Sequence, residues 1–217
     1  MRLTRLTLSK AILVLACLLP QRLVSQDRPG EVALRNDCRL AQQVLIHGQP
    51  ANKYDWAITF VENCGTEGAI AVAAELRELR HSHSRTVHLD QLVEIAQRMI
   101  DPELLGAARE IAADEQAGEA ARIHAIRLLV AQVADMDLPY EAFTPHSMNG
   151  GNLALGAVTS RGASILRPLP VEACEDALEL LAHLAHVPAD SGVRSAANRA
   201  FYMVEAGCSA ARADPGV

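Results

Sequence analysis

Residues 101–134 read DPELLGAAREIAADEQAGEAARIHAIRLLVAQVA, and this stretch decides the fold. Asp101 and Pro102 are the start of a helix, because Asp accepts hydrogen bonds from the first unpaired amides and Pro suits a first-turn position whose N–H would have no partner. Leu104, Ala108 and Ile111 follow at helical spacing and give that helix a face to bury. From Gly118 to Ala134 the chain is apolar nearly all round. That pattern predicts a helix lying between other helices rather than at the surface.

The same periodicity extends outward in both directions. Upstream, Leu89, Leu92, Val93, Ala96, Met99 and Ile100 form a stripe that predicts a helix over 86–100, preceded by one over 67–80. Ala57, Phe60, Val61 and Cys64 share one side of a helix over 53–63, with Gly65 at the place of a left-handed cap. Leu34, Cys38, Ala41 and Leu45 mark a first helix, which Gly48 and Pro50 stop. Downstream, helices are expected over 171–186 and 190–206. Alternate helices begin near 36, 67 and 101, and near 53, 86 and 118, so each kind recurs every 31 to 34 residues. Two short helices repeating at that period are the sequence signature of an α-solenoid, in which each pair buries its apolar face on the next. The expected fold is all-α: four antiparallel helix pairs in a right-handed stack, with an irregular insertion over 135–170 before the last pair.

Composition agrees with this reading. Half of the 217 residues are apolar and only 3% are aromatic, whereas β-rich folds lean on aromatic and β-branched side chains. The first 25 residues have the parts of a secretion signal: basic Arg2, Arg5 and Lys10, the apolar run Ala11–Leu19, then Pro20 and a more polar stretch to Ser25. Nine apolar residues are too few to span a bilayer as a helix. Cleavage is expected after Ser25, although Leu23 is large for its place. The tetrad Val14-Leu15-Ala16-Cys17 resembles a lipoprotein box, so a lipid anchor at Cys17 is the alternative. No second long apolar segment follows, and a soluble single domain over 26–217 is expected. Losing the leader removes four basic residues and no acidic one, so the formal charge goes from −6 to −10. A balance this acidic argues against nucleic acid or an anionic membrane as partner.

At the last pair the sequence resembles a named family. The run Asp190-Ser191-Gly192-Val193-Arg194-Ser195-Ala196-Ala197-Asn198-Arg199-Ala200 resembles the second helix of a HEAT repeat, with its Asp, Val-Arg and spaced Ala. Ala121-Arg122-Ile123-His124-Ala125-Ile126-Arg127-Leu128-Leu129 is similar, with Gly118 where the Asp would stand. The resemblance implies structural roles for Arg194 and Arg122, pairing with acidic groups along the inner helices. It covers about half of the mature chain. His88 occupies the Arg position in the fourth helix, and the second helix, with Asp55 and Trp56, does not match. The Trp, Gly, Tyr and Pro pattern of tetratricopeptide repeats is not visible.

Four cysteines remain after the leader: Cys38, Cys64, Cys174 and Cys208. An even count in an exported chain reads as two disulfides, with three pairings possible on counting alone. Hairpin geometry selects among them. Cys38 lies 13 residues before the first turn, near 51, and Cys64 lies 13 after it; Cys174 and Cys208 lie 15 before and 19 after the turn near 189. Each bond would clamp one terminal pair.

Chemistry-bearing clusters are sparse. His81, His83 and His88 form an H-x-H with a third His five residues on, in a polar connection that reads first as a solvated turn. Glu179, His183 and His186 are spaced i, i+4 and i+7, so they share a helical face that could present a carboxylate and two imidazoles to zinc. Opposite Ala177, Leu181 and Leu184 they read first as a solvated polar face. No P-loop, dinucleotide-binding glycine pattern or nucleophile elbow occurs. The insertion over 135–170 holds Pro139, Pro145, Pro168 and Pro170, four glycines, and the aromatics Tyr140 and Phe143. Its run Leu153–Thr159 can pair as a strand with a partner or pack on the last repeat. A loop of that length inside a compact array binds something or is a tethered insertion. The functional expectation is an exported, non-enzymatic module, without cofactor, that binds another protein through its concave face or inserted loop. The alternative is a metal-binding protein or metal-dependent hydrolase using Glu179, His183 and His186.

Overall fold

The computed structural model describes residues 29–47, 53–81, 86–134, 164–186 and 190–213. Residues 1–28, among them the expected leader and Cys17, and His83, Tyr140, Phe143 and Leu153–Thr159 lie outside the described residues. The chain divides into two units, Met1–Ala33 and Leu34–Val217. Of the first, only 29–33, the opening of a helix, is described; the other helices all belong to the second.

The fold is helical with very little strand. In order, α1 is Pro29–His47, α2 Tyr54–Val61, α3 Gly65–Leu79, α4 Thr86–Ala96, α5 Pro102–Ala113, α6 Glu119–Ala134, α7 Ala173–His186 and α8 Ser191–Ala213. A single 3-10 turn, Glu62–Cys64, joins α2 to α3, and Gly65 at φ 58° makes the change of direction between them. Nothing crowds a side chain at that position, so glycine is required there by backbone conformation alone.

Met99 and Ile100 depart from the helix expected over 86–100. They form β1, paired in parallel with β2, Ser164–Ile165. The reason is local. Asp101 must be extended to cap α5 (φ −153°, ψ 137°), and the Pro after it disfavours helical backbone at Asp101. The chain therefore leaves the helix after Ala96 and runs straight into the cap. Asp101 Oδ1 accepts from Glu103 N at 2.9 Å, as the sequence leads one to expect.

Packing runs through the sequence in a regular way. Each of α3, α5 and α7 touches the next of that series, and so does each of α2, α4, α6 and α8. Helix α5 packs closely on α6, and α7 on α8. Helix α6 is central: every side chain from Ala121 to Gln132 is buried, and the helix contacts α4, α5, α7 and α8. Its apolar circumference has the surroundings it needs, and Ile126, Leu128 and Leu129 are the middle of one continuous core. Helix α8 comes close to α6 because Gly207 has no side chain; a Cβ there would stand 2.7 Å from Ala134 Cβ.

The structure joins Cys38 to Cys64 and Cys174 to Cys208, with Cα separations of 5.4 and 6.2 Å. Two intramolecular disulfides fit an oxidising, extracytoplasmic environment. Among the described residues no helix is long and apolar enough to cross a membrane.

Candidate functional site

Helix α6 carries four polar side chains into the core, and three of them serve neighbouring helices. Arg122 Nε donates to Ala112 O at 3.1 Å, satisfying a carbonyl at the end of α5 that has no partner within its own helix. The resemblance implied a carboxylate partner for Arg122; the hydrogen bond found is to a backbone carbonyl. Gln132 Nε2 donates to Ala96 O at 3.1 Å and to Met99 O at 2.6 Å, and its Oε1 accepts from Asp101 N at 3.0 Å. One carboxamide thus closes the end of α4 and holds the cap of α5. Arg127 donates to Asp90 Oδ1 at 2.9 Å, tying α6 to α4. His124 lies beside this pair, with Nδ1 3.8 Å from Asp90 Oδ1. Burial and the Arg127 charge outweigh the pull of Asp90 and push its pKa down to about 4. The imidazole is neutral at pH 7.

A second polar centre fixes the end of the insertion. Asp101 is fully buried and accepts from Arg167 Nε at 2.8 Å and from the same guanidinium again at 2.5 Å. Ser164 N donates to Arg98 O at 2.9 Å and Leu166 N to Ile100 O at 3.0 Å. Residues 164–167 are therefore strapped to the α4–α5 junction by backbone and by charge. Sequence reasoning did not single out this anchor at the end of the insertion. An arginine shortly before Pro168 was the available signal.

At the surface, Arg77 of α3 and Arg80 just after it each lie 2.7 Å from Glu110 of α5, and Arg80 also 3.2 Å from Asp114. The bond from Arg77 is the main reason the Glu110 carboxyl sits below its ordinary pKa. Arg109 continues the series to Asp176 of α7 at 2.7 Å.

Glu179, His183 and His186 are all exposed along α7. His186 Nδ1 is 2.9 Å from Ala182 O, which engages that nitrogen within its own helix. His81 Nδ1 faces Gln116 O at 3.3 Å, while the His88 ring packs on Tyr54 at 4.6 Å. The two histidines thus have separate surroundings. Among the described residues no three His, Cys, Asp or Glu side chains gather as a metal site.

A concave feature lies on α8. Ser191, Arg194, Ser195, Asn198 and Arg199 line an open hollow of about 430 Å³. Val193, Ala196, Ala197, Ala200 and Val204 face the core, which turns the polar set outward. Asp190 accepts the Arg194 amide through its backbone carbonyl at 3.0 Å, and Gly192 N donates to Glu119 Oε1 of α6 at 3.1 Å. Of the motif residues, Val193 is fully buried, Asp190 and Arg194 are exposed, and Arg122 is buried. The two motif arginines thus occupy opposite environments.

Searches against protein-family models, curated proteins and solved structures return no match.

Proposed function

We propose that this chain is an exported, non-enzymatic interaction module built as a short HEAT-like α-solenoid of four antiparallel helix pairs, free in the periplasm or secreted. One observation carries the reading: polar ties between helices recur at the repeat period. Arg77 of α3 and Glu110 of α5 are 33 residues apart, and Asp90 of α4 and Arg127 of α6 are 37 apart. A bond repeated at that interval between equivalent helices is what stacked pairs produce.

The buried polar groups support a structural role for the interior, because Arg122, Arg127 and Gln132 are hydrogen-bonded to carbonyls and carboxylates of adjacent helices. The partner is another protein. Trp56 on α2, stacked on Phe60 at 5.1 Å, and Tyr202 on α8, 70% exposed, put large aromatic side chains on the even-numbered helices, which form one layer of the array. Aromatic anchors of this kind dominate binding energy at protein interfaces.

The test is affinity capture by the mature chain from its native envelope fraction, repeated with Trp56→Ala and Tyr202→Ala. A saturable partner retained by the parent chain and weakened at least tenfold by either substitution supports the reading. Equal retention by all three chains overturns it. Metal analysis of the purified chain addresses the alternative: stoichiometric zinc that disappears with His183→Ala would replace this function with a metal site at Glu179, His183 and His186.

A further inference from the structure

Helix α2 buries Tyr54, Ala57, Ile58 and Val61, and through Tyr54 it packs on His88 of α4. Its other side is built differently. Lys53, Trp56, Phe60 and Asn63 lie at i, i+3, i+7 and i+10, the spacing of a single stripe along α2 and the 3-10 turn that extends it. Lys53, Trp56 and Asn63 are exposed and Phe60 is half-buried, with the two rings stacked on each other. Single apolar side chains on a surface call for no explanation. A stacked aromatic pair between two polar ends has the anatomy of a small interface, an apolar centre with a polar rim. The polar ends decide what it faces. Asn63 Nδ2 donates to Phe60 O at 3.3 Å within its own turn, which turns Oδ1 into the acceptor offered outward. Lys53 carries three N–H donors and has no ion pair among the described residues.

We infer that this stripe is a docking surface for a second copy of the chain, with the two α2 helices antiparallel about a two-fold axis near Ile58. The stripe is complementary to its own reverse. In that register Trp56 of one copy meets Phe60 of the other, and Lys53 of one meets Asn63 of the other. Each contact then occurs twice, as a self-complementary two-fold interface requires. The aromatic pairs have room to pack offset or edge-to-face, and the Lys53 ammonium donates to the Asn63 Oδ1. A stripe ending in two cations or in two carboxylates would set like charges together; this one sets donor against acceptor. The nearby carboxylates do not oppose it. Glu62 stands next to Asn63 and is paired with Arg98 at 3.2 Å, while Asp55 lies off the stripe. The inference rests on the reading of Trp56 as an interface anchor, and it gives that anchor its occupant.

Sedimentation equilibrium of the mature chain from about 1 μM to about 1 mM, read together with tryptophan emission, tests it. Trp56 is the single tryptophan of the sequence, so its emission reports on this surface alone. The expected result is a two-chain mass that falls to one chain on dilution, with the emission moving from blue to red over the same range. Trp56→Ala should lower the association constant at least tenfold. Lys53→Glu should do the same, because it sets a carboxylate against the Asn63 oxygen. Lys53→Glu combined with Asn63→Lys exchanges donor and acceptor and should recover most of that loss. An unchanged Tm in the dilute, one-chain range separates lost association from lost folding in each variant. A one-chain mass at every concentration overturns the inference, as does a two-chain mass that survives Trp56→Ala or is indifferent to Lys53→Glu. Masses that keep growing beyond two chains overturn it in favour of head-to-tail stacking. A one-chain mass, together with an envelope protein whose capture Trp56→Ala weakens, overturns this inference and leaves the broader protein-binding reading standing.

Discussion

Two buried side chains make this fold sensitive to charge, Asp101 and His124. Asp101 caps α5 and accepts both bonds from Arg167 with no access to water. Asp101→Ala removes the cap and leaves the strap residue with no carboxylate to bind, so a loss of about 1–3 kcal/mol is expected in urea unfolding. Asp101→Asn keeps the shape and one acceptor, and it should fall between. No change with alanine would show that the cap at Asp101 contributes little. His124 governs the response to acid. Burial favours its neutral form, and the folded pKa of about 4 lies below the ordinary 6.5. The unfolded chain therefore binds the proton more readily, and stability falls as pH drops below 6.5 until about 4. The full loss is about 3 kcal/mol at its limit. Glu110, held low by Arg77 and Arg80, adds its own loss below its ordinary 4.5. His124→Gln should flatten the stability profile between pH 6.5 and 4.5 and lessen the fall between 4.5 and 4, leaving the share due to Glu110. A parent chain with constant stability from pH 7 to 5 would refute the assignment.

At the scale of elements, what was legible followed periodicity and what was not followed single polar residues. The stripes at Leu89–Ala96 and Leu104–Ile111 are repeated apolar signals, and helices α4 and α5 stand on them. Met99 and Ile100 continue the α4 stripe in sequence but leave the helix, because the extended cap at Asp101 and the distant strand Ser164–Ile165 compete for them. A two-residue ladder has no periodicity to read. Gln132 is equally silent, one carboxamide in an apolar helix whose partners lie 31 to 36 residues away. The cysteine pairing was readable from the distances of the four residues to the two expected turns, near 51 and 189. Cys38 and Cys64 lie at equal distances and are joined; Cys174 and Cys208 lie at unequal distances and are joined at a Cα separation of 6.2 Å. Closing loops of 26 and 34 residues is worth about 3–4 kcal/mol each in the chain-entropy model. Cys174→Ser with Cys208→Ser should therefore lower stability by that order, and peptide mapping of the unreduced chain should find only the two stated links. Gly207→Ala tests the close approach of α8. The added methyl meets the Ala134 Cβ and its Cα at 3.2 Å, so overpacking of about 1–3 kcal/mol is expected.

Over the whole molecule, stability should be graded from the middle outward. Helix α6 has packed neighbours in α4, α5, α7 and α8, whereas α1–α2 and α7–α8 are the first and last pairs of the described chain, with no pair beyond them. Fewer contacts and more exposed hydrogen bonds mean lower local opening energies. The disulfides tie α1 to the turn after α2, and α7 to α8; if the chain is the proposed repeat array, these are the places where it would open most easily. Native-state hydrogen exchange distinguishes this from a uniformly cooperative domain. With the disulfides intact, amides from Ile123 to Val130 should exchange slowest and only through global unfolding. After reduction and alkylation, exchange should accelerate first in α1–α2 and in α7–α8, by more than tenfold relative to α6. That difference arises because reduction releases the ends while the centre keeps its neighbours on both sides. An equal acceleration across α2, α6 and α8 would mean that the chain opens as one unit, and the stacked-pair reading of its energetics would fail.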